Sequence, residues 1–212
     1  REAWVGGMNV CAAHLDWKDT GAWVKGDSAA ELLRPRLGAI ARRRTLARIL
    51  MNAQTRIWVT SPYFSPPRWV IRQLQKARHR GVDVRVMLPS WHASDLPWMT
   101  VLARAYWANL LRKGVRLFEY LGEPHLGERL HAKTLVVDES AWVGSTNLDH
   151  RSLSINREAD IVLRSPEAVH AVAHGFEEAQ SRAKEVTHRM VGETPLWMRA
   201  LGWVLLLFRR WL

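Results

Sequence analysis

A single residue separates His131 from Lys133, and Asp138 and the run Gly144-Ser145-Thr146-Asn147 follow closely; this string holds most of the chain's capacity for chemistry. Histidine can attack phosphorus or pass a proton near neutral pH. A lysine ammonium, a serine hydroxyl and an asparagine amide suit the non-bridging oxygens of a phosphoryl group as charge builds on them. The small, polar run at 144–147 lets backbone and side chain approach an anion closely. Any one of these residues is equally at home on an edge hairpin facing water. The full pattern His-x-Lys-x(4)-Asp-x(5)-Gly-Ser-x-Asn is far more specific than its parts.

The elements that must position these side chains follow from periodicity. Leu130 to Val137 predicts a strand, because it carries β-branched residues and no breaker. Alternation then puts His131 and Lys133 on one face, with Asp138 at the strand's end on the other parity. A turn at Glu139-Ser140 and a strand at 141–143 complete a hairpin. Upstream, the pattern predicts strands at 21–25, 57–60, 82–88 and 115–120, and helices at 28–36, 39–53, 69–79 and 98–112. Downstream it predicts a strand at 159–163 and a helix from Glu167 to Lys184, opened by Pro166. Such alternation predicts an α/β layered fold, a mixed β-sheet flanked by helices.

An internal repeat organises the chain. Ala3-Trp-Val-Gly-Gly-Met-Asn9 aligns without a gap on Ala141-Trp-Val-Gly-Ser-Thr-Asn147. After one gap, Trp17-Lys-Asp19 matches Asn156-Arg-Glu158 and Trp23-Val24 matches Val162-Leu163. The first copy lacks the strand that would carry its own His-x-Lys-x(4)-Asp, so residue 1 reads as a cut inside a longer protein. The expected division is a remnant of a first repeat at 1–38, a complete second repeat at 39–190, and a C-terminal helix at 191–212.

Composition narrows the partners. The net charge is +11, and 25 of the 31 basic residues are arginine, which suits bidentate phosphate contact on lipid or nucleic acid. One cysteine, Cys11, allows no internal disulfide. No His/Cys cluster has metal-ligand spacing, so neither a metal nor a cofactor is expected. The tail from Leu196 to Leu212 has an apolar run, 200–208, about half as long as a bilayer crossing needs. Its tryptophans and arginines predict a helix lying in the headgroup region, against the alternative of packing on the domain's own apolar surface.

The hairpin, together with Ser61-Pro-Tyr-Phe-Ser-Pro66, Gly114-Val-Arg-Leu-Phe-Glu-Tyr120 and Leu148-Asp-His-Arg-Ser-Leu-Ser-Ile-Asn-Arg-Glu158, resembles the phospholipase D superfamily and within it the bacterial cardiolipin synthase branch. The resemblance implies two repeats facing each other across one site, each supplying a His-Lys pair, with transfer through a phosphohistidine and without a metal. It implies that His131 is nucleophile or acid/base, and that Lys133, Ser145, Asn147 and Asn9 bind substrate phosphate. Asp138 and Glu158 join the catalytic set, Asp138 supporting the strand end and Glu158 as the carboxylate that orients a histidine. The implied substrates are anionic phospholipids, phosphatidylglycerol above all, at the surface of the bacterial inner membrane. The missing motif would come from an N-terminal repeat or a homodimer. Nucleic acid is the disfavoured partner, although a nuclease-type phosphodiesterase and a non-catalytic lipid-binding remnant remain as alternatives.

Overall fold

The computed structural model describes residues 2–6, 18–25, 39–209 and 211. A seven-stranded mixed sheet spans residues 56–185. Its centre is β3 (Arg56–Thr60), flanked on one side by the parallel strands β5 (Asp83–Pro89) and β6 (Arg116–Tyr120). On the other side, β7 (Thr134–Val137), β8 (Ser140–Gly144) and β10 (Asp160–Leu163) continue antiparallel. A two-residue parallel pair, β4 (Phe64–Ser65) with β9 (Leu148–Asp149), ties the loop after β3 to the segment after β8.

Alternation along the strands builds a core on each face. Ile57, Val59, Val84, Val86, Leu117, Leu135 and Val137 face α1 (Ala39–Asn52), α2 (Arg68–His79) and α3 (Pro97–Leu111). Trp58, Met87, Phe118, Val136 and Val143 face α5 (Pro166–Ser181), where Trp58 stacks on Phe176 with ring centroids 5.3 Å apart. Each large side chain so buried contributes roughly 1.5–3 kcal/mol. The layered α/β reading is therefore the observed architecture, and in α3 the buried Met99, Val101, Leu102 and Trp107 make that helix a core element.

Some boundaries move for stated reasons. The helix expected to reach Lys184 ends at Ser181, because Ala183–Glu185 peels off as β11 and pairs antiparallel with β6. The strand expected from Leu130 begins only at Thr134. Before it, the His131 and Ala132 N–H groups both donate to the carbonyl of Lys18, at 2.8 and 3.0 Å, so this stretch is held by the segment at Lys18 instead of by β3. The helix expected at 28–36 lies outside the described residues.

The repeat is structural as well as sequential. β1 (Glu2–Gly6) pairs antiparallel with β2 (Gly21–Lys25), placing Ala3 opposite Val24 and Gly6 opposite Gly21. In β8 and β10 the aligned positions meet in the same register, Ala141 opposite Leu163 and Gly144 opposite Asp160.

Candidate active site

The β7–β8 hairpin turns at Asp138, whose φ of 48° is in the left-handed region that aspartate tolerates better than most residues. Its carboxylate accepts the N–H groups of Gln54, Thr55 and Arg56 and the Thr55 hydroxyl, and the Arg56 guanidinium donates to its carbonyl. Burial works to raise this carboxyl, but the bonds from Thr55, Gln54 and Arg56 outweigh it and hold it below the usual range. Asp138 thus locks the start of β3 to the end of β7. It stands at the opposite end of β7 from His131, where it supports the strand end as a register lock.

At the other end, the residues that lead into β7 run beside the segment at Lys18. Lys18 forms an isolated parallel bridge with Leu130, and its N–H donates to Arg129 at 2.6 Å. That crossing delivers Asp19 to His131, with Nδ1 and Oδ2 2.9 Å apart and side chains only 8% and 5% exposed respectively. A carboxylate only accepts, so the ring carries its proton on Nδ1 in this bond. Lys133 is buried beside it and donates to the His131 carbonyl at 2.5 Å. Desolvation lowers the Lys133 ammonium to about 8, opposed by the fields of Asp19, Asp95, Glu158 and Asp149. An ammonium kept dry among carboxylates is a preorganised anion site.

The third wall is the turn after β8. A Cβ at Gly144 would lie 2.2 Å from Asp160 Oδ1 and 2.4 Å from the Ala159 carbonyl, so only glycine fits there. Asp160 accepts the N–H of Thr146 at 3.1 Å and its hydroxyl at 2.5 Å. Ser145 donates to Glu158 at 2.5 Å and accepts from the Ala159 N–H at 3.0 Å, while Asn156 donates to the other oxygen of Glu158. Asn147 has a buried amide oxygen with no hydrogen-bond partner among the described residues. Beyond it Asp149 caps α4 (His150–Ser154), accepting from the Ser152 N–H at 2.7 Å. Burial pushes the Asp149 carboxyl up to about 6, with the charge of Glu158 adding to the shift.

The described residues thus bring His131, Lys133 and Asp19 together, with the charge of Glu158 reaching Lys133. Asn9 lies outside them. The carboxylate on His131 is Asp19, the counterpart of Glu158 in the repeat alignment. Sequence reasoning did not name Asp19 as a site residue, although the alignment itself carried the signal. It also missed Asp95, which accepts from the Tyr63 hydroxyl at 2.5 Å and is held near the site because the Leu130 N–H donates to Ala93 and Arg129 donates to the carbonyl of Ser94. No spacing rule points to a loop residue placed by tertiary contacts alone. Among the described residues no group of three or more His, Cys, Asp or Glu is disposed to hold a metal ion.

Comparison with known proteins places this geometry. Residues 46–180 match the family described as cardiolipin synthase, PLD-like domain. A cardiolipin synthase of Geobacillus kaustophilus is 31% identical over 154 residues, covering 71% of this chain and 29% of that protein. The chain therefore spans less than a third of that curated relative's length. Among solved structures, the phosphatidylserine synthase of Haemophilus influenzae superposes with a TM-score of 0.66 at 17% identity, over 83% of this chain and 46% of the other. Nuc, a phospholipase D family member from Salmonella typhimurium, gives 0.56 at 21% identity, over 68% of this chain and 90% of its own. At such identities the superpositions speak for the fold alone.

Proposed function

The chain belongs to the cardiolipin synthase PLD-like domain family, and from that premise we propose that it is a phosphatidyltransferase domain working through a covalent phosphohistidine on His131. The observation that carries this reading is the buried Asp19–His131–Lys133 cluster.

Asp19 holds the proton on Nδ1 and so leaves the lone pair on Nε2. Nε2 attacks phosphorus of an anionic phospholipid, the P–N bond forms, and the P–O bond to the departing alcohol breaks. Lys133, with Ser145 and Asn147 lining the same turn, takes up the charge on the non-bridging oxygens. The departing alkoxide needs a proton from a second acid, and a first-repeat histidine, in this polypeptide or a second copy, fits that role. The same acid then deprotonates the acceptor hydroxyl, which displaces His131 and completes transfer to phosphatidylglycerol. Glu158 matches Asp19 in the repeat and is proposed to hold that second histidine. The division at 1–38, 39–190 and 191–212 belongs to the same reading.

An activated donor separates the nucleophile from the missing acid. From phosphatidyl-p-nitrophenol the P–O bond breaks to a stable p-nitrophenolate that needs no proton, so the chain alone should release a burst of nitrophenolate stoichiometric with protein. His131→Asn keeps a polar side chain but no nucleophile and should slow the burst by about 10² to 10⁴. A burst of unchanged rate in that variant would overturn the assignment of His131.

A further inference from the structure

The C-terminal helix α7 (Leu196–Phe208) inverts the usual arrangement of a surface helix. Its buried residue is Gly202, where a Cβ would come within 3.2 Å of the Val101 carbonyl and 3.6 Å of Ala105 Cβ. The α7 backbone is therefore seated directly on α3. At 100° per residue, Leu196, Trp197, Ala200, Leu201, Trp203, Val204, Leu207, Phe208 and Trp211 fall on the other side, within an arc of about 160°. All of these are apolar and all are exposed, Leu196, Leu207 and Trp211 each by 78% and Trp203 by 68%. Water is a costly neighbour for an unbroken apolar stripe of this kind.

We infer that this outward face of α7 docks the domain onto the surface of an anionic lipid bilayer. The helix is thirteen residues long, about 20 Å, too short for the roughly 30 Å hydrocarbon layer. Among the described residues no helix is long and apolar enough to cross a membrane, so α7 lies along the interface with its tryptophans at headgroup depth. Charge selects the partner. Arg199 borders the apolar arc, Arg209 caps the helix, and the chain carries +11 overall. A second copy on the same face would bring like charge against like, whereas acidic headgroups complement it. The docked face is also tied to the site. Arg151, in the helix that Asp149 caps directly after Ser145–Asn147, donates to the Trp211 carbonyl at 3.3 Å. A bilayer held on α7 is thus one helix away from the catalytic turn. This inference goes beyond phosphatidyl transfer and does not depend on it, because bilayer binding is read without turnover.

The test is flotation of the whole chain with vesicles of phosphatidylglycerol and phosphatidylcholine. Replacing two exposed apolar side chains by charges, Trp203→Glu with Leu207→Glu, should weaken partitioning by about 100-fold or more. The milder pair Trp203→Ala and Leu207→Ala should weaken it about tenfold and guards against misfolding of the first. Wild-type binding should fall when phosphatidylcholine replaces all phosphatidylglycerol. Unchanged partitioning of both pairs, or equal binding to neutral vesicles, overturns the inference. A wild-type dimer that forms without lipid and is dissociated by the same substitutions overturns it in favour of a second copy.

Discussion

The two copies of the Ala-Trp-Val-Gly hairpin share a register and differ in what surrounds them. β8–β10 continues a seven-stranded sheet, is followed by the Ser145–Asn147 turn, and sits beside the segment that carries His131. β1–β2 is a two-stranded ribbon that leans on β8 and β10. Yet the ribbon's copy supplies the carboxylate that orients the other copy's histidine. The two copies are therefore joined through the Asp19–His131 contact. A two-stranded ribbon alone is marginal in water, so the Lys18 backbone bonds to Arg129, His131 and Ala132 both support it and bring Asp19 to His131.

The sharpest way to break this comparison, after removal of His131 itself, is to treat the two matched carboxylates alike. Asp19→Asn should slow the nitrophenolate burst by about 10- to 100-fold, the usual loss when a partner that fixes an imidazole tautomer is removed. Glu158→Gln should leave the burst within about threefold of wild type, since in the proposed scheme it serves another histidine and not this step. Equal losses in the two variants would refute that scheme.

A smaller effect is expected at Asp138. Asp138→Ala strips acceptors from three N–H groups and a hydroxyl, and should lower stability by about 1–2 kcal/mol in denaturant unfolding. The burst in the folded fraction should stay within about twofold, because this lock is at the far end of β7. A large loss of chemistry with unchanged stability would instead give Asp138 a direct part in catalysis.

The smallest effect is a pH dependence. The Lys133 ammonium sits near 8, below its ordinary value, so inorganic phosphate binding should weaken as pH rises through about 8. The sign for stability is opposite. The unfolded lysine still binds its proton between that value and its ordinary pKa, so deprotonation of the buried group favours the fold as pH rises. Calorimetric phosphate titration from pH 6.5 to 9.5 and melting over the same range read the two trends. Parallel trends would show that Lys133 is not the titrating group.

Much of this was legible in the linear chain because it depends on local order. Strand alternation at Val82, Val84 and Val86 and at Leu135 and Val137 is a period-two pattern that any half-buried strand must show. The α/β layering and the His-x-Lys to Asn147 string are local in the same sense, and so is the matching of residues 3–9 to 141–147. The end of α5 was misplaced because Ala183–Glu185 leaves the helix only to meet β6, a partner more than sixty residues earlier in the chain.

What the sequence by itself determined, then, is which residues are fit for phosphoryl chemistry and on which kind of element they stand. Which carboxylate meets which imidazole was decided only in three dimensions. Asp19 reaches His131 across 112 positions because a backbone bridge at Lys18 and Leu130 brings two segments side by side. The direction of the tail was settled in the same way. Its composition allowed packing or exposure, and the close approach of Gly202 to α3 imposes both, one face seated on the protein and the apolar face turned out. Side-chain types and periodicity are properties of neighbours in sequence, whereas hydrogen-bond partners and buried faces belong to whichever distant segments the packed core brings together.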